Sequence, residues 1–469
     1  MKSQLLKLFS KQPKEYLLAV LTVFHRHYKP SKDNLAKDAL PLLFLITFSN
    51  TAQADIELYT HERGTLNAGL QLQTIGFSGA NAWFGKAPEN VGNNTNTWWE
   101  GTIEPSLKGH LTIMETQLYA EFSYLYAIAV GHDSSGLTAG LDTPNRGLIE
   151  QGYIGWRSGN LIATQKNFLD ISLGRQDYRL GSGFLIYDGA NDGGARGGWW
   201  IGARQSFDDT AIVRINWDSL KFEFFHLNTR PRNVENKLDF NGMNLEYKYK
   251  QLGTWGFSYI NIGESQNATI KALNTYDFRT MLTPLPQLPD LQIEGEYVFQ
   301  ENKHTQAHGG YGQLSYRHMP WFWSPKFIYR YTGLSGDQPD TQKNEAFNGL
   351  AYGFSDWGTW YQGEITGEHV FGLSNLNSHL FRVEITPADN ILVNIMYYYF
   401  QFDNARSMGS QVSNRHFADE INVIIDWFAT DNTLFSATAA IAIPGKGGQQ
   451  FTGGYRTWTQ FMLYGSYLF

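Results

Sequence analysis

The segment Phe461 to Phe469 constrains the fold more than any other stretch of the chain. Phe461, Leu463, Tyr467 and Phe469 fall at alternate positions, with Gly465 between them. That is one greasy face of a β-strand carried to the last residue. A strand that closes a barrel against lipid has a use for such a face, whereas a soluble sheet leaves it as an aggregation-prone edge. Bacterial outer-membrane barrels commonly end this way. Phe469 is therefore expected to be read by the barrel-assembly machinery.

Composition points the same way. The chain has no cysteine, which excludes a disulfide framework and thiolate metal sites. Aromatic residues make up 15% of it, with 31 Phe, 26 Tyr and 14 Trp, enough to furnish two interfacial girdles. Mean hydropathy is −0.36, and no run reaches the roughly 18 apolar residues of a spanning helix. A barrel with a wet interior reconciles aromatic richness with average polarity.

An apolar core, Leu40 to Phe48, is followed by small residues at Ala52 and Ala54, the pattern of a signal-peptidase site. Residues 1–54 are thus expected to be a leader cleaved after Ala54, and residues 55–469 the barrel. The region before the apolar core is long, with a second apolar patch between Lys14 and Arg26. No Met stands between Met1 and Met114. Either the true start lies further on or the leader is extended. Taking away the leader's eight Lys/Arg and three Asp/Glu from 37 and 44 leaves 29 against 41, a net charge of −12.

Beyond Asp55 the dominant period is two. Met243, Leu245, Tyr247 and Tyr249 share one face, with Asn244, Glu246 and Lys248 on the other. Leu291, Ile293, Tyr297 and Phe299 oppose Gln292, Glu294 and Glu296 in the same manner. Tight turns at 217–220, 249–254, 386–390 and 429–433 alternate with long Gly/Asn/Asp segments at 86–97, 131–146, 181–200, 227–239, 263–275, 333–349 and 403–416. At roughly 20–25 residues per strand and connection, this predicts an all-β transmembrane antiparallel barrel of about 18 strands. Short turns face the periplasm and long loops the exterior. A ring of that size is expected to leave a lumen, and the sequence shows no helical extension.

Several motifs, taken in order, resemble the alginate export family of outer-membrane porins. Leu173-Gly174-Arg175-Gln176 is similar to that family's G-R-Q strand. Tyr329 to Leu334 enters the loop Ser335-Gly336-Asp337, and Glu345, Phe347 and Leu350 follow as E-x-F-N-x-L. Leu373 to Leu376, Phe381 to Phe400, and Asp419 to Gly445 are similar to its later hairpins and last strands. The likeness spans most of 165–469. Where the family tends to carry an R-L dipeptide, this chain has Phe184-Leu185. The resemblance implies a channel for anionic saccharides.

Such a solute needs inward cations, because a desolvated carboxylate is costly unless paired, and the planar Arg fork pairs it bidentately. Strand phase turns Arg214, Arg317, Arg330 and Arg382 inward. Arg175 shares the phase of Ile171 and Leu173, so it faces inward only if a bulge intervenes at Gly174. The 181–200 loop, in or beside which Arg179, Arg196 and Arg204 sit, is expected to fold into the pore. The acidic net charge does not steer anions from afar. It suits loop acids that bridge lipopolysaccharide through divalent ions.

Neither a metal nor a cofactor site is expected. The His304/His308 pair lies in a Gly/Gln-rich lead-in to a strand, and Gly181-Ser182-Gly183 lacks the strand-turn-helix setting of a nucleophile elbow. The mature chain has no basic stretch for nucleic acid. The reading is a channel for hydrophilic, anionic saccharides or small organic acids, in contact with outer-membrane lipid. The alternatives are a general or hydrophobic-solute diffusion porin, and a non-conducting outer-membrane receptor or enzyme.

Overall fold

The structure, a computed structural model, describes residues 56–86, 95–132, 145–162, 165–189, 200–229, 237–263, 265, 267–353 and 362–469. The leader boundary at Ala54 and Arg196 lie outside them. The strands are β1 (Ile56–His61), β2 (Gly64–Ala80), β3 (Thr95–Ile113), β4 (Thr116–His132), β5 (Asn145–Arg157), β6 (Leu169–Gln176), β7 (Phe207–Trp217), β8 (Leu220–Asn228), β9 (Asp239–Tyr249) and β10 (Gly253–Ile262). They continue as β11 (Asn274–Leu282), β12 (Leu291–Glu301), β13 (Gln306–Arg317), β14 (Lys326–Leu334), β15 (Leu376–Ala388), β16 (Ile391–Phe402), β17 (His416–Thr430), β18 (Thr433–Pro444) and β19 (Trp458–Leu468).

Each strand from β2 onward pairs antiparallel with the next. β19 returns to pair with β2 from Thr459↔Ala80 to Leu468↔Gln71, closing an 18-strand ring. Closure removes every sheet edge within the ring and satisfies its backbone groups, the condition for crossing a bilayer. β1 takes the part of β2 that β19 leaves unpaired, from Ile56↔Ala68 to His61↔Gly64.

Connection length alternates around most of the ring, the exception being β11–β14, where the four-residue link 302–305 between β12 and β13 is shorter than the links on either side. β7 and β8 are joined by Asp218 and Ser219, β15 and β16 by Asp389 and Asn390, β17 and β18 by Asp431 and Asn432. The long connections leave from the opposite rim, and one of them, between β14 and β15, contains a wide-turned (π) helix, Gly363–Phe371. A second helix, Lys446–Thr452, lies between β18 and β19. Helical segments therefore occur where the sequence showed none, in chain that does not belong to the wall.

Outward positions are large and apolar, among them Ile154, Leu173, Phe224, Phe278, Tyr297, Phe381 and Phe435. The interior departs from a simple lumen. In the half nearer the long connections the inward side chains are also apolar. Phe207, Phe225, Leu227, Phe240 and Ile260 on β7–β10, and Tyr398, Phe400, Phe402 and Phe417 on β16–β17, are all buried. They join loop residues Phe84, Phe184, Phe347, Ile365 and Phe371 in one hydrophobic cluster. A ring too wide to fill with its own side chains is filled at this end by inserted loops. The polar lumen occupies the other half.

Candidate lumen site

Two loops make the narrow zone. After β6 the chain turns inward, so that Tyr178 packs on Phe225 at 4.9 Å between ring centres, and Phe184 lies against Tyr311 and Phe347, each at 5.7 Å. The segment 345–351 comes in from the β14–β15 connection to meet it. Ala351 N–H donates to Leu185 O at 3.0 Å, and Tyr187 N–H donates to Ala351 O at 2.8 Å. Gln300 on β12 pins the second loop, donating to Asn348 O (2.8 Å) and accepting from Asn348 N–H (2.9 Å). The expectation that the 181–200 loop enters the barrel therefore holds for its described part, 181–189.

The motif that carried the resemblance fixes this arrangement. Ser335 Oγ donates to Glu345 O at 2.6 Å, its carbonyl accepts from Phe347 N–H at 2.9 Å, and Asp337 Oδ1 accepts from Glu345 N–H at 3.2 Å. Asn375, held at φ 50°, accepts from Asn404 N–H at 2.7 Å and ties in the β16–β17 connection. These residues aim the loop and drive Phe347 into the cluster.

Below the strap that these two loops, 181–189 and 345–351, form together lies a charged belt. Arg382 on β15 donates to Asn394 Oδ1 at 2.7 Å and to Glu384 Oε2 at 3.2 Å. Arg317 on β13 pairs with the other oxygen of Glu384 and donates to Ser324 O at 3.1 Å. Arg330 on β14 donates to Gln313 Oε1 at 2.8 Å, its guanidinium 5.6 Å from the Tyr311 ring centre. Lys326 shares the cross-strand row of Arg317 and Glu384. Among the described residues, the inner face of β13–β15 thus carries Arg317, Lys326, Arg330 and Arg382 against Glu384 alone.

Arg214 also faces inward but sits apart, with Nε donating to Glu223 Oε1 at 3.0 Å. Arg175 turns inward because the required bulge is present. The β6–β7 register shifts between Gly174 and Gln176, and Gly174 adopts φ 121°. Leu173 therefore points out while Arg175 is buried, 3.0 Å from Glu150 O and 2.5 Å from Asp208 Oδ1. Arg204 joins it with Nη1 3.5 Å from Glu150 Oε2, whereas Arg179 is exposed beside Tyr187. The five arginines are therefore one group on β13–β15 and two separate positions, each with an acidic partner or amide close by.

A further arginine joins them. Arg279 on β11 donates to Ser258 Oγ (2.7 Å), Asp277 Oδ2 (2.5 Å) and Glu246 Oε1 (3.0 Å). Glu296 next to this group accepts from Ser182 Oγ at 2.7 Å, so the loop strap rests directly on the belt. The signal for Arg279 lay in Tyr276, Phe278 and Thr280, whose outward phase turns Asp277 and Arg279 in. Elsewhere on the ring, β3–β5 carry Glu100, Glu104, Glu121 and Glu150 inward, with Lys108 3.3 Å from Glu121 and both Arg175 and Arg204 beside Glu150. Glu104 accepts from Ser123 Oγ at 2.6 Å, Glu121 from Tyr153 Oη at 3.0 Å. The cations of β13–β15 and the acids of β3–β5 lie on different parts of the ring, so a chain of net negative charge can still carry a locally basic inner face.

No family model and no curated protein matches the sequence. Solved structures do match in fold. Acinetobacter baumannii OccAB4 aligns with a TM-score of 0.57 at 12% identity, over 87% of this chain and 98% of its own. Pseudomonas aeruginosa OccK5 (OpdH) aligns at 0.56 and 11%, over 85% and 97%. Pseudomonas aeruginosa OccK2 (OpdF), solved in complex with glucuronate, aligns at 0.54 and 10%, over 86% and 97%. The chain has the closed 18-strand barrel fold seen in these outer-membrane porin structures.

Proposed function

We propose that this protein is an outer-membrane channel for hydrophilic solutes bearing a carboxylate, such as sugar acids and small organic acids. The observation that carries the reading is the excess of cations on the inner face of β13–β15, where Arg317 and Arg382 share one carboxylate and Arg330 donates to the neutral Gln313 amide. A passing carboxylate can exchange with Glu384 or Gln313 as the partner of a guanidinium, so it is never stripped of hydrogen bonds. The glucuronate complex of the structurally similar OccK2 supports a sugar acid as the class to test first. The resemblance of the 335–350 motif to alginate exporters supports uronic-acid oligomers as a narrower candidate.

The channel works by passive passage and performs no chemistry. Its remaining partners follow from its setting: lipopolysaccharide and lipid around the wall, the barrel-assembly machinery at Phe469, and a leader removed after Ala54. The test is the reversal potential of residues 55–469 in planar bilayers under a KCl gradient, with D-glucuronate then substituted for chloride. Anion preference with glucuronate current supports the reading. Unselective or cation-selective channels would leave a general diffusion porin, and absence of conductance from a folded barrel would leave a receptor.

A further inference from the structure

The outer wall between β9 and β13 has a cleft in it. Outward residues there stand in cross-strand rows. One row is apolar from β9 to β12, Leu245, Phe257, Phe278 and Tyr297, and ends at Gly310 on β13. The next row, toward the short connections, begins with Tyr247 and Trp255 and then falls away to Thr280, Gly295 and Gly312. The result is a cavity of about 590 Å³, walled by the aromatic side chains and floored by Thr280 and Gly295, with Gly256, Arg279, Glu296 and Tyr311 of the inward phase also bounding it.

Neither glycine is required by the backbone, since neither adopts a positive φ. A Cβ on Gly312 would meet nothing within 4 Å, and one on Gly295 would meet only Tyr311 O at 3.4 Å. Gly310, by contrast, would drive a Cβ to 2.2 Å from Glu296 O. Glycine inside a strand weakens it and commonly marks the close approach of another molecule. An aromatic path leads from the cleft to a cation. Trp255 stacks with Tyr247 at 6.2 Å, Tyr247 meets Tyr249 at 6.1 Å, and Lys250 Nζ lies 5.1 Å from the Tyr249 ring centre, in the turn after β9.

We propose that this cleft holds one acyl chain of an anionic phospholipid, from the leaflet on the short-connection side, with its phosphate at Lys250. In hydrocarbon, apolar surfaces do not attract one another more than they attract lipid, so a chain is retained by shape and by its headgroup. The cleft supplies the first and Lys250 the second. The proposal rests on the barrel lying in a bilayer.

The test is tryptophan quenching by bromine-labelled phosphatidylglycerol and phosphatidylcholine in bilayers holding the full protein. The signal of Trp255 is isolated as wild type minus Trp255→Phe, with Trp427, another outward residue, as reference through Trp427→Phe. Brominated phosphatidylglycerol should quench Trp255 at lower mole fraction than Trp427. Lys250→Gln should raise the mole fraction needed at Trp255 about fivefold, the effect of one basic residue near an anionic headgroup. Gly295→Phe, and separately Gly312→Leu, should reduce quenching at Trp255 by either lipid and leave Trp427 unchanged. Equal quenching at the two tryptophans overturns the proposal. So does protection of Trp255 that grows with protein concentration, which would seat a second copy of the chain there. Absence of quenching at both would instead contradict the membrane placement.

Discussion

Glu384 allows the basic wall to be tested with two changes of opposite sign. Arg382→Ala removes one of four cations on β13–β15, and Glu384→Gln removes their one anion while keeping its size and an acceptor for Arg317 and Arg382. A unit charge about 4 Å from a permeating carboxylate is worth ~1 kcal/mol in a water-like medium and ~4 kcal/mol where the effective dielectric falls to about 20. The lower figure suits an open lumen. Arg382→Ala should then lower chloride permeability about fivefold and raise that of potassium by a similar factor, a change of up to ~30-fold in their ratio, and Glu384→Gln should move the ratio as far the other way. Both shifts should shrink strongly between 0.1 M and 1 M KCl, where the screening length drops from about 10 Å to about 3 Å. Arg382→Ala also leaves the buried Asn394 amide oxygen without its donor, at a cost of about 1–3 kcal/mol. That disturbance is separable, because local loosening would move the two variants in the same direction and ignore salt. Reversal potentials shifted alike in both variants, or unchanged at low salt, would refute the assignment.

Other consequences follow from single contacts. Gly174→Val puts a side chain 2.5 Å from Gly152 O at φ 121°, and should lower stability by about 1–3 kcal/mol in urea titrations of the refolded barrel. Glu420 accepts from Ile365 N–H (3.0 Å) and Thr366 N–H (2.7 Å), so Glu420→Gln should selectively speed hydrogen exchange of the Gly363–Phe371 helix and add open-channel noise, while exchange in β2–β6 stays as it was. Phe347→Ala empties a buried site between Phe184 and the strap, and should cost about 3–5 kcal/mol locally and increase single-channel conductance. Phe469→Ala should slow assembly in cells, read as unassembled barrel in the periplasm, yet leave detergent refolding intact, since the backbone pair Phe469–Leu70 (2.7 and 2.8 Å) does not depend on the ring.

Much of the wall was legible because its physics is local. Alternation set the faces of β9 and β12, turn residues set the connections 218–219 and 389–390, and phase placed Arg214, Arg317, Arg330 and Arg382 inward. Arg175 was legible as a condition: inward only with a bulge at Gly174, which is what a glycine at φ 121° provides. Phase also turns Lys326 and Arg279 inward, but the signal is weak at both: Lys326 opens its strand directly after Pro325, and Arg279 sits in a short alternation, Tyr276 to Thr280, behind a polar Asn-containing run. The hydrophobic cluster was harder. In β16, Ile395 to Phe400 is apolar on both faces, so periodicity cannot tell lipid from a loop packed inside the ring. Nothing local announces that Phe84, Phe184 and Phe371 will converge from three connections to meet it.

That cluster separates circumference from bore. The ring of hydrogen-bonded strands determines how wide the barrel is, but the passage is whatever the inserted side chains leave. Exchanging Phe184 or Phe347 for a smaller or larger residue can retune which molecules fit without disturbing one rung of the wall. A lineage could change the solute that fits by editing two loops, and conductance is therefore a poor guide to strand number in a barrel built this way.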